Sequence, residues 1–310
     1  MTELRQVSFV MPVLNEEKYL ETAVNSVLKQ QTPGLSELIL ALGPSTDKTN
    51  EVAKKLANRH SNLILVDSPT GLTSTSLNLA IAKSRYDVVI RVDAHSELPE
   101  GYAELAVKIL NDTGAANVGG RMLAKGKTAF QSAVAFAYNN RIGLGGGSYH
   151  VGGQAGVADS VYLGCYRKSI VQELGGFSES WVRGQDWELN QRIRKAGYQV
   201  WFDPRLEVGY YPRRDWLSLA KQFYKTGVWR GALTRADFGN SRARYWVPPL
   251  LVVASLFGFP FWVYLLTIAF YAAGQTTLSW AIRLWLITVV PTMHICWGIG
   301  FWVGLIRGRK

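Results

Sequence analysis

Two long apolar runs near the carboxyl end constrain this chain more than any other feature. Residues 246–273 and 284–306 contain no charged side chain. Each exceeds the ~20 residues that cross a ~30 Å hydrocarbon core. Only residues 274–283 separate them, so the expected form is a helical hairpin of two transmembrane helices. Trp246, Trp262, Trp280, Trp285, Trp297 and Trp302 are spread through it, some at positions suited to interfacial aromatics. The alternative is a buried hairpin in a soluble protein, but two such runs fit poorly into one soluble core.

Charge supports this division. Residues 246–310 hold no Asp or Glu and only Arg283, Arg307, Arg309 and Lys310 as bases, whereas residues 1–245 hold 30 Lys and Arg against 23 acids. Arg242 and Arg244 precede the first run, and Arg307, Arg309 and Lys310 follow the second. By the positive-inside rule both ends, and with them the front domain, are expected on the cytoplasmic side of the membrane. The first ten residues lack the apolar core of an export signal, so no export of the front domain is expected. Cys165 and Cys296 are the only cysteines, which excludes a disulfide framework and a Cys-based zinc site. The net charge of +11 suits a surface of anionic lipid. No nucleic-acid motif accompanies it, so membrane lipid and not nucleic acid is the expected partner. Residues 205–245 interleave nine basic residues with Trp216, Leu217, Leu219, Phe223, Val228 and Trp229, the pattern of an amphipathic interfacial segment. The expected organisation is therefore a catalytic domain over residues 1–204, the interfacial segment over 205–245, and two transmembrane helices with a basic tail over 246–310.

The front domain alternates strands and helices. Apolar runs at 7–11, 38–42, 63–66 and 88–92 read as buried strands. Leu20, Ala23, Val24, Val27 and Leu28 recur at helical spacing, as do Val52, Ala53, Leu56 and Ala57, and then Leu77, Ala80 and Ile81. The alternation implies an α/β fold with a parallel sheet covered by helices. Ligands of such sheets bind at the carboxyl ends of the strands. Residues 12–15, 43–47 and 93–95 fall at such ends, and the glycines at 145–147 and 152–153 mark a mobile loop.

Two patterns carry chemistry. In Arg91-Val92-Asp93-Ala94-His95 a strand delivers an acid, with a second metal-ligating side chain two residues on, facing the same way. With phosphate oxygens and waters, Asp93 and His95 suffice for Mg²⁺ or Mn²⁺, and the imidazole favours Mn²⁺. The other pattern leads from Gly175-Gly176-Phe177 to Gln185-Asp186, Leu189 and Arg192. Asp186 there stands at the start of a helix. It is either a favourable partner of the helix dipole or a general base beside a cleft.

Taken together, Pro12-Val13-Leu14-Asn15-Glu16, Ser45-Thr46-Asp47 with Thr49, Asn78, Asp93-Ala94-His95 and Gly175-Gly176-Phe177…Asp186…Leu189…Arg192 resemble the family-2 glycosyltransferases. Asp159-Ser160-Val161 and the carboxyl-terminal runs look most like those of the succinoglycan-biosynthesis type. The resemblance implies a GT-A fold, a Rossmann-like nucleotide-diphospho-sugar transferase domain, over about residues 5–235. It implies that Pro12, Val13, Asn15, Glu16, Asp47, Asn78, Arg91, Asp93 and Gln185 line the nucleotide-sugar pocket. It further implies that Asp93 and His95 hold the metal, Asp186 is the base, Arg192 supports its helix, and Arg213 belongs to a segment closing over the donor. Leu42-Gly43-Pro44 stands where many relatives carry a base-contacting Asp, so UDP is a default choice of donor nucleotide. The implied activity is inverting transfer to a hydroxyl of a lipid-linked glycan in exopolysaccharide or cell-envelope synthesis. Three rivals stand beside it: a polyprenyl-phosphate glycosyltransferase, an inactive membrane scaffold, and a nucleotidyltransferase.

Overall fold

The computed structural model describes residues 3–308 apart from 182, 183, 237 and 242. Asp237, Arg242, Arg309 and Lys310, which entered the charge argument, lie outside the described residues. In chain order the elements are β1 (Val7–Val13), α1 (Leu20–Leu28), β2 (Ser36–Leu42), α2 (Thr49–Arg59), β3 (Leu63–Asp67), α3 (Thr73–Lys83), β4 (Val88–Arg91), α4 (Tyr102–Thr113), β5 (Asn117–Ala124), α5 (Ala129–Asn139), α6 (Arg141–Leu144), α7 (Ser148–Val151), β6 (Gly156–Val157), β7 (Tyr162–Arg167), α8 (Lys168–Glu173), α9 (Gln185–Lys195), β8 (Val200–Tyr210), α10 (Trp216–Ala236), α11 (Val247–Ser255), α12 (Phe259–Gly274) and α13 (Trp280–Arg307). They fall into two compact units. One comprises Met1–Met122 and Gly152–Gly209, the other Leu123–Val151 and Tyr210–Lys310.

The first unit is built on an eight-stranded sheet of order β3-β2-β1-β4-β7-β5-β8-β6. β3, β2, β1 and β4 run parallel, with Val13 opposite Leu42 and Val10 opposite Arg91. The four expected strands and the three helices between them are present. β1, β2 and β4 are almost wholly buried, as continuous apolar runs covered by helices on both faces require. α1 packs through Leu20, Ala23, Val24 and Val27, one stripe of a 3.6-residue repeat. The parallel run of the expected strands ends at β4. β7 inserts antiparallel between β4 and β5, so the sheet is mixed. The expected boundary at residue 204 also shifts, because β8 carries the chain in extended form to Tyr210.

The second unit is helical, and backbone contact holds it together. Gly227 and Gly231 on α10 rest on the α13 backbone around Trp297 and Phe301, and Gly300 and Gly304 on α13 rest on the α10 backbone around Tyr224 and Val228. A methyl group at Gly231 would collide with the Phe301 carbonyl oxygen, and one at Gly304 with that of Val228. Small residues four apart on both helices allow this approach. Polar ties add to it. His294 on α13 donates from Nε2 to the Gly143 carbonyl at 3.1 Å and accepts at Nδ1 from the Tyr264 hydroxyl at 2.8 Å. The Trp216 indole donates to Thr292 Oγ1 at 2.7 Å. Residues 216–236 are thus a helix half built into a core through Leu219, Phe223 and Leu233, not a segment confined to an interface.

The two-span expectation is corrected as well. The first apolar run breaks into α11 and α12 around Gly258, whose φ is 72°. Pro260, in the first turn of α12, has no N–H to continue the preceding helix. At 16 residues, α12 extends only ~24 Å. Among the described residues α13 alone is long and apolar enough to cross a membrane. At the break Leu256 is 82% and Phe257 77% exposed.

The glycine contact is directly testable. Gly304→Ala must push α13 away from α10, an overpacking cost of ~1–3 kcal/mol. Its melting temperature in detergent is expected to drop accordingly. Gly274→Ala, where the new methyl meets open space, should melt as the parent does.

Candidate active site

The carboxyl ends of β1, β2 and β4 lie at one edge of the parallel half of the sheet, and the expected residues gather there. Loop-to-loop hydrogen bonds build the wall beyond β1 and β2. Asn15, at φ 57°, accepts at Oδ1 from the Thr46 amide at 2.8 Å, while its own amide donates to Ser45 Oγ at 3.0 Å. Asn tolerates this left-handed conformation better than most side chains do. The Glu16 amide donates to Thr49 Oγ1 at 2.7 Å. Asp47 Oδ1 accepts from the Thr49 amide at 3.0 Å and from its hydroxyl, and the hydroxyl bond above all lowers the Asp47 pKa. The side chains of Asn15 and Asp47 are therefore bound up in the frame of the pocket. Pro12 and Val13 end β1 beneath it.

At the end of β4 the Arg91 side chain, 8% exposed, lies between two carboxylates. Its Nε and Nη2 donate to Asp93 Oδ1 at 3.2 and 2.8 Å. Its Nη1 donates to Asp186 Oδ1, in the first turn of α9. Burial alone would lower the guanidinium pKa, but Asp186 and Asp93 reverse this and hold it above its usual range. Burial likewise would raise the Asp93 carboxyl. Arg91 and then His95 outweigh that, leaving it below the ordinary carboxylate value. The buried Tyr166 hydroxyl on β7 completes the floor. Burial and the charge of Asp186 push its pKa up, against the opposing effect of Arg91.

His95 Nδ1 lies 2.8 Å from Glu16 Oε1. A carboxylate can only accept, so Nδ1 carries a proton, and Nε2 is the ring nitrogen left to serve as a ligand. Both bonds from Arg91 go to Oδ1 of Asp93 and neither to its second oxygen. A carboxylate oxygen and an imidazole Nε2 are a donor set that fits Mn²⁺ and is compatible with Mg²⁺. No three His, Cys, Asp or Glu side chains come together among the described residues, so an ion here would need the oxygens of a bound diphosphate as well.

The remaining expected residues act on one turn. Asn78 grips the backbone of Phe177, accepting its amide and donating to its carbonyl, both at 2.8 Å. Gly176, at φ 72°, leaves room for that side chain, with which any Cβ would collide. Arg192 donates to the carbonyls of Leu174 and Gly176 and pairs with Glu188 at 2.7 Å. Asn78 is thus a strut of the Gly-Gly-Phe turn, and Arg192 ties that turn to α9. Gln185 is buried at the start of α9. Asp186 beside it is 37% exposed, and Arg91 holds its Oδ1. Arg213 lies in the helical unit, where it donates to Gln222 Oε1 at 3.2 Å. Sequence reasoning missed Tyr166 and Glu188. Tyr166 carries no spacing signal, whereas Glu188 stands four residues before Arg192 on one helix and was legible as its partner.

Comparison with known proteins agrees with this arrangement. Residues 8–174 match the family described as Glycosyl transferase family 2. The succinoglycan biosynthesis protein ExoA of Rhizobium meliloti (strain 1021) is 29% identical over 97% of this chain and 95% of its own. A dolichyl N-acetyl-alpha-D-glucosaminyl phosphate 3-beta-D-2,3-diacetamido-2,3-dideoxy-beta-D-glucuronosyltransferase of Methanococcus voltae is 23% identical over 98% of each. Among solved structures, a mannosyltransferase from Pyrobaculum calidifontis, in complex with GDP-Man and Mn²⁺, shares the fold. Its TM-score is 0.65 at 18% identity, over 98% of this chain and 88% of that one. The sheet order, the acids at the ends of β4 and the start of α9, and the matched profile agree: this chain belongs to glycosyl transferase family 2.

Proposed function

We propose that the chain transfers a sugar, with inversion, from a nucleoside-diphosphate donor to a hydroxyl of a lipid-linked glycan at the cytoplasmic membrane face. One observation carries the reading: buried Arg91 ties Asp93 at the donor end of β4 to Asp186 on α9. Asp186 takes the proton of the acceptor hydroxyl as that oxygen attacks the anomeric carbon, and the bond from that carbon to the diphosphate breaks. A single displacement with one base inverts the centre. Arg91 fixes where the Asp186 carboxylate points. Asn78 and Arg192 hold the turn before α9, and the frame of Asn15 and Asp47 shapes the nucleotide pocket. Asp93 and His95 would hold a divalent ion, Mn²⁺ or Mg²⁺, which when bound would supply positive charge to the leaving diphosphate. The mannosyltransferase that shares the fold is in complex with GDP-Man, so UDP stays a default for this chain.

The lipid-linked acceptor is supported by two observations. The Methanococcus relative is named for transfer onto a dolichyl-linked sugar. In addition, Phe259, Val263, Leu266 and Phe270 of α12 form one exposed stripe at helical spacing, which water disfavours and lipid accepts. We place the helical unit in the bilayer through this stripe and α13. Arg213, Arg214, Lys221 and Lys225 of the same unit suit the anionic headgroups of the cytoplasmic leaflet.

Three measurements test this reading. Asp186→Asn is expected to lower turnover ~10²–10⁴-fold while donor binding persists, and Asp93→Asn to weaken Mn²⁺-dependent nucleotide binding measured by calorimetry. Turnover of Asp186→Asn within a few-fold of the parent would mean that the base is elsewhere, or that the acceptor is itself a phosphate.

The pH dependence of Arg91→Met follows from Asp93. The folded pKa of Asp93 is depressed, so its stabilisation is present above pH ~4 and lost as pH falls through the folded value. Arg91→Met strands that carboxylate, at ~3–5 kcal/mol near neutrality. The melting gap between parent and variant should be widest near pH 7 and close in acid. A gap constant from pH 3 to 8 would rule out the ion pairs as its source.

Replacing Phe259, Leu266 and Phe270 together with Glu should shift the protein from the membrane pellet toward the soluble fraction on carbonate extraction. Unchanged extraction would remove the stripe from the membrane contact.

A further inference from the structure

α9, which carries Asp186, has few apolar anchors. Of its 11 residues only Leu189 and Ile193 are buried hydrophobics, and Gln185, Asn190 and Gln191 are buried beside them. Apolar contacts have no preferred direction, so two of them leave a helix room to slide and turn by small amounts. Hydrogen bonds are directional. Polar bonds run down one side of α9. Asp186, Asn190 and Arg194 are spaced four apart and form one stripe, about 6 Å between successive members. Each is bonded to a different part of the first unit. Asp186 takes Arg91 at the end of β4. Asn190 accepts at Oδ1 from Nδ2 of Asn117, the first residue of β5, at 2.6 Å, and donates from Nδ2 to Ser160 Oγ at 2.9 Å. Arg194 donates from Nη1 to Asp159 Oδ1 at 3.3 Å. Asp159 and Ser160 are neighbours in the segment between β6 and β7.

The middle bond adds something that the ion pair cannot. A single tie at Asp186 fixes one carboxylate oxygen and leaves the helix able to pivot about that point. A second tie one turn further on, to another strand, removes the pivot. Asn117 and Asn190 are fully buried and Ser160 is 6% exposed, so bulk water does not compete for these bonds. Both ends of the Asn190 amide are engaged, which holds its plane as well as its position. Asn117 also hydrogen-bonds the hydroxyl of Tyr166 on β7, which lies in the field of Asp186 and Arg91. The clamp is therefore continuous with the floor of the candidate site.

We propose that Asn190, held by Asn117 and Ser160, is a positioning residue for the general base: it sets the rotation of α9 and, through it, the aim of Asp186. This rests on Asp186 being the base, as proposed above. Arg91 supplies the charge that holds one carboxylate oxygen, and the neutral amide clamp supplies the register of the helix that carries it. A misplacement of ~1 Å at a reacting group can cost ~10²-fold in rate, so a small turn of α9 is enough to matter.

The test is turnover of the full chain in detergent, read as nucleoside diphosphate released from UDP-glucose or GDP-mannose with a membrane lipid extract as acceptor. Asn190→Leu keeps much of the side chain's size and removes both bonds. It should lower kcat about ten- to a hundredfold with the donor KM unchanged. Ser160→Ala, which removes one bond, should fall between that variant and the parent, and it keeps the test open if Asn190→Leu does not fold. The paired variant Asn117→Leu with Asn190→Leu leaves neither amide facing a lost partner, so its melting temperature should recover toward the parent. Its kcat should stay low. Recovery of both together would make the clamp purely structural and overturns the proposal. On an Asp186→Asn background, Asn190→Leu should cost little further turnover, because the group it aims is already disabled. An equal fractional loss on both backgrounds overturns the proposal, as does a loss confined to the donor KM. If Asp186→Asn alone turns over within a few-fold of the parent, the base assignment itself fails, and that result is read without any Asn190 variant.

Discussion

The candidate site depends on a single buried cation. Arg91 sits where β4 ends, and from there it pairs with an acid on its own strand and with another brought in by α9. Removing a guanidinium from water is costly, and two carboxylates repay that cost only when both are in place. The ion pairs therefore join parts of the chain 95 residues apart in sequence. Asn78 and Arg192 work to the same end by fixing the turn that precedes α9. The two carboxylates on which the proposed chemistry depends are thus positioned by one shared charge.

Much of this was legible in the residues, and the parts that were not have physical reasons. Strands β1, β2 and β4 announce themselves because burial on both faces makes an uninterrupted apolar run. Asp93, His95 and Asp186 stand out by type and position. The bridge from Arg91 was half legible, since residues two apart on a strand share a face, which pairs Arg91 with Asp93. Its bond to Asp186 needed the fold. The roles of Asn78 and Asn15 were hidden because both make backbone contacts with distant loops, and no local spacing encodes those.

The apolar carboxyl-terminal third shows a different limit. Hydropathy averages over a window, so the run at 246–273 reads as one span even though Gly258 and Pro260 cut it in two. α10 misled in the other direction. Its scattered bases suggested an interface, but the feature that decides its packing is the pair Gly227 and Gly231, which adds nothing to charge or hydropathy. Small residues four apart are the signal that would have predicted the contact with α13.

That contact also sets how the helical unit can move. Side chains usually act as a compressible layer between helices, taking up small changes of angle by switching rotamers. At Gly227, Gly231, Gly300 and Gly304 there is no such layer, and main chain rests on main chain. α10 and α13 must then tilt as one lever. In a bilayer thicker or thinner than the hydrophobic length of α13, the tilt that relieves the mismatch would pass undamped into α10. Membrane thickness would thereby become a mechanical input to the enzyme.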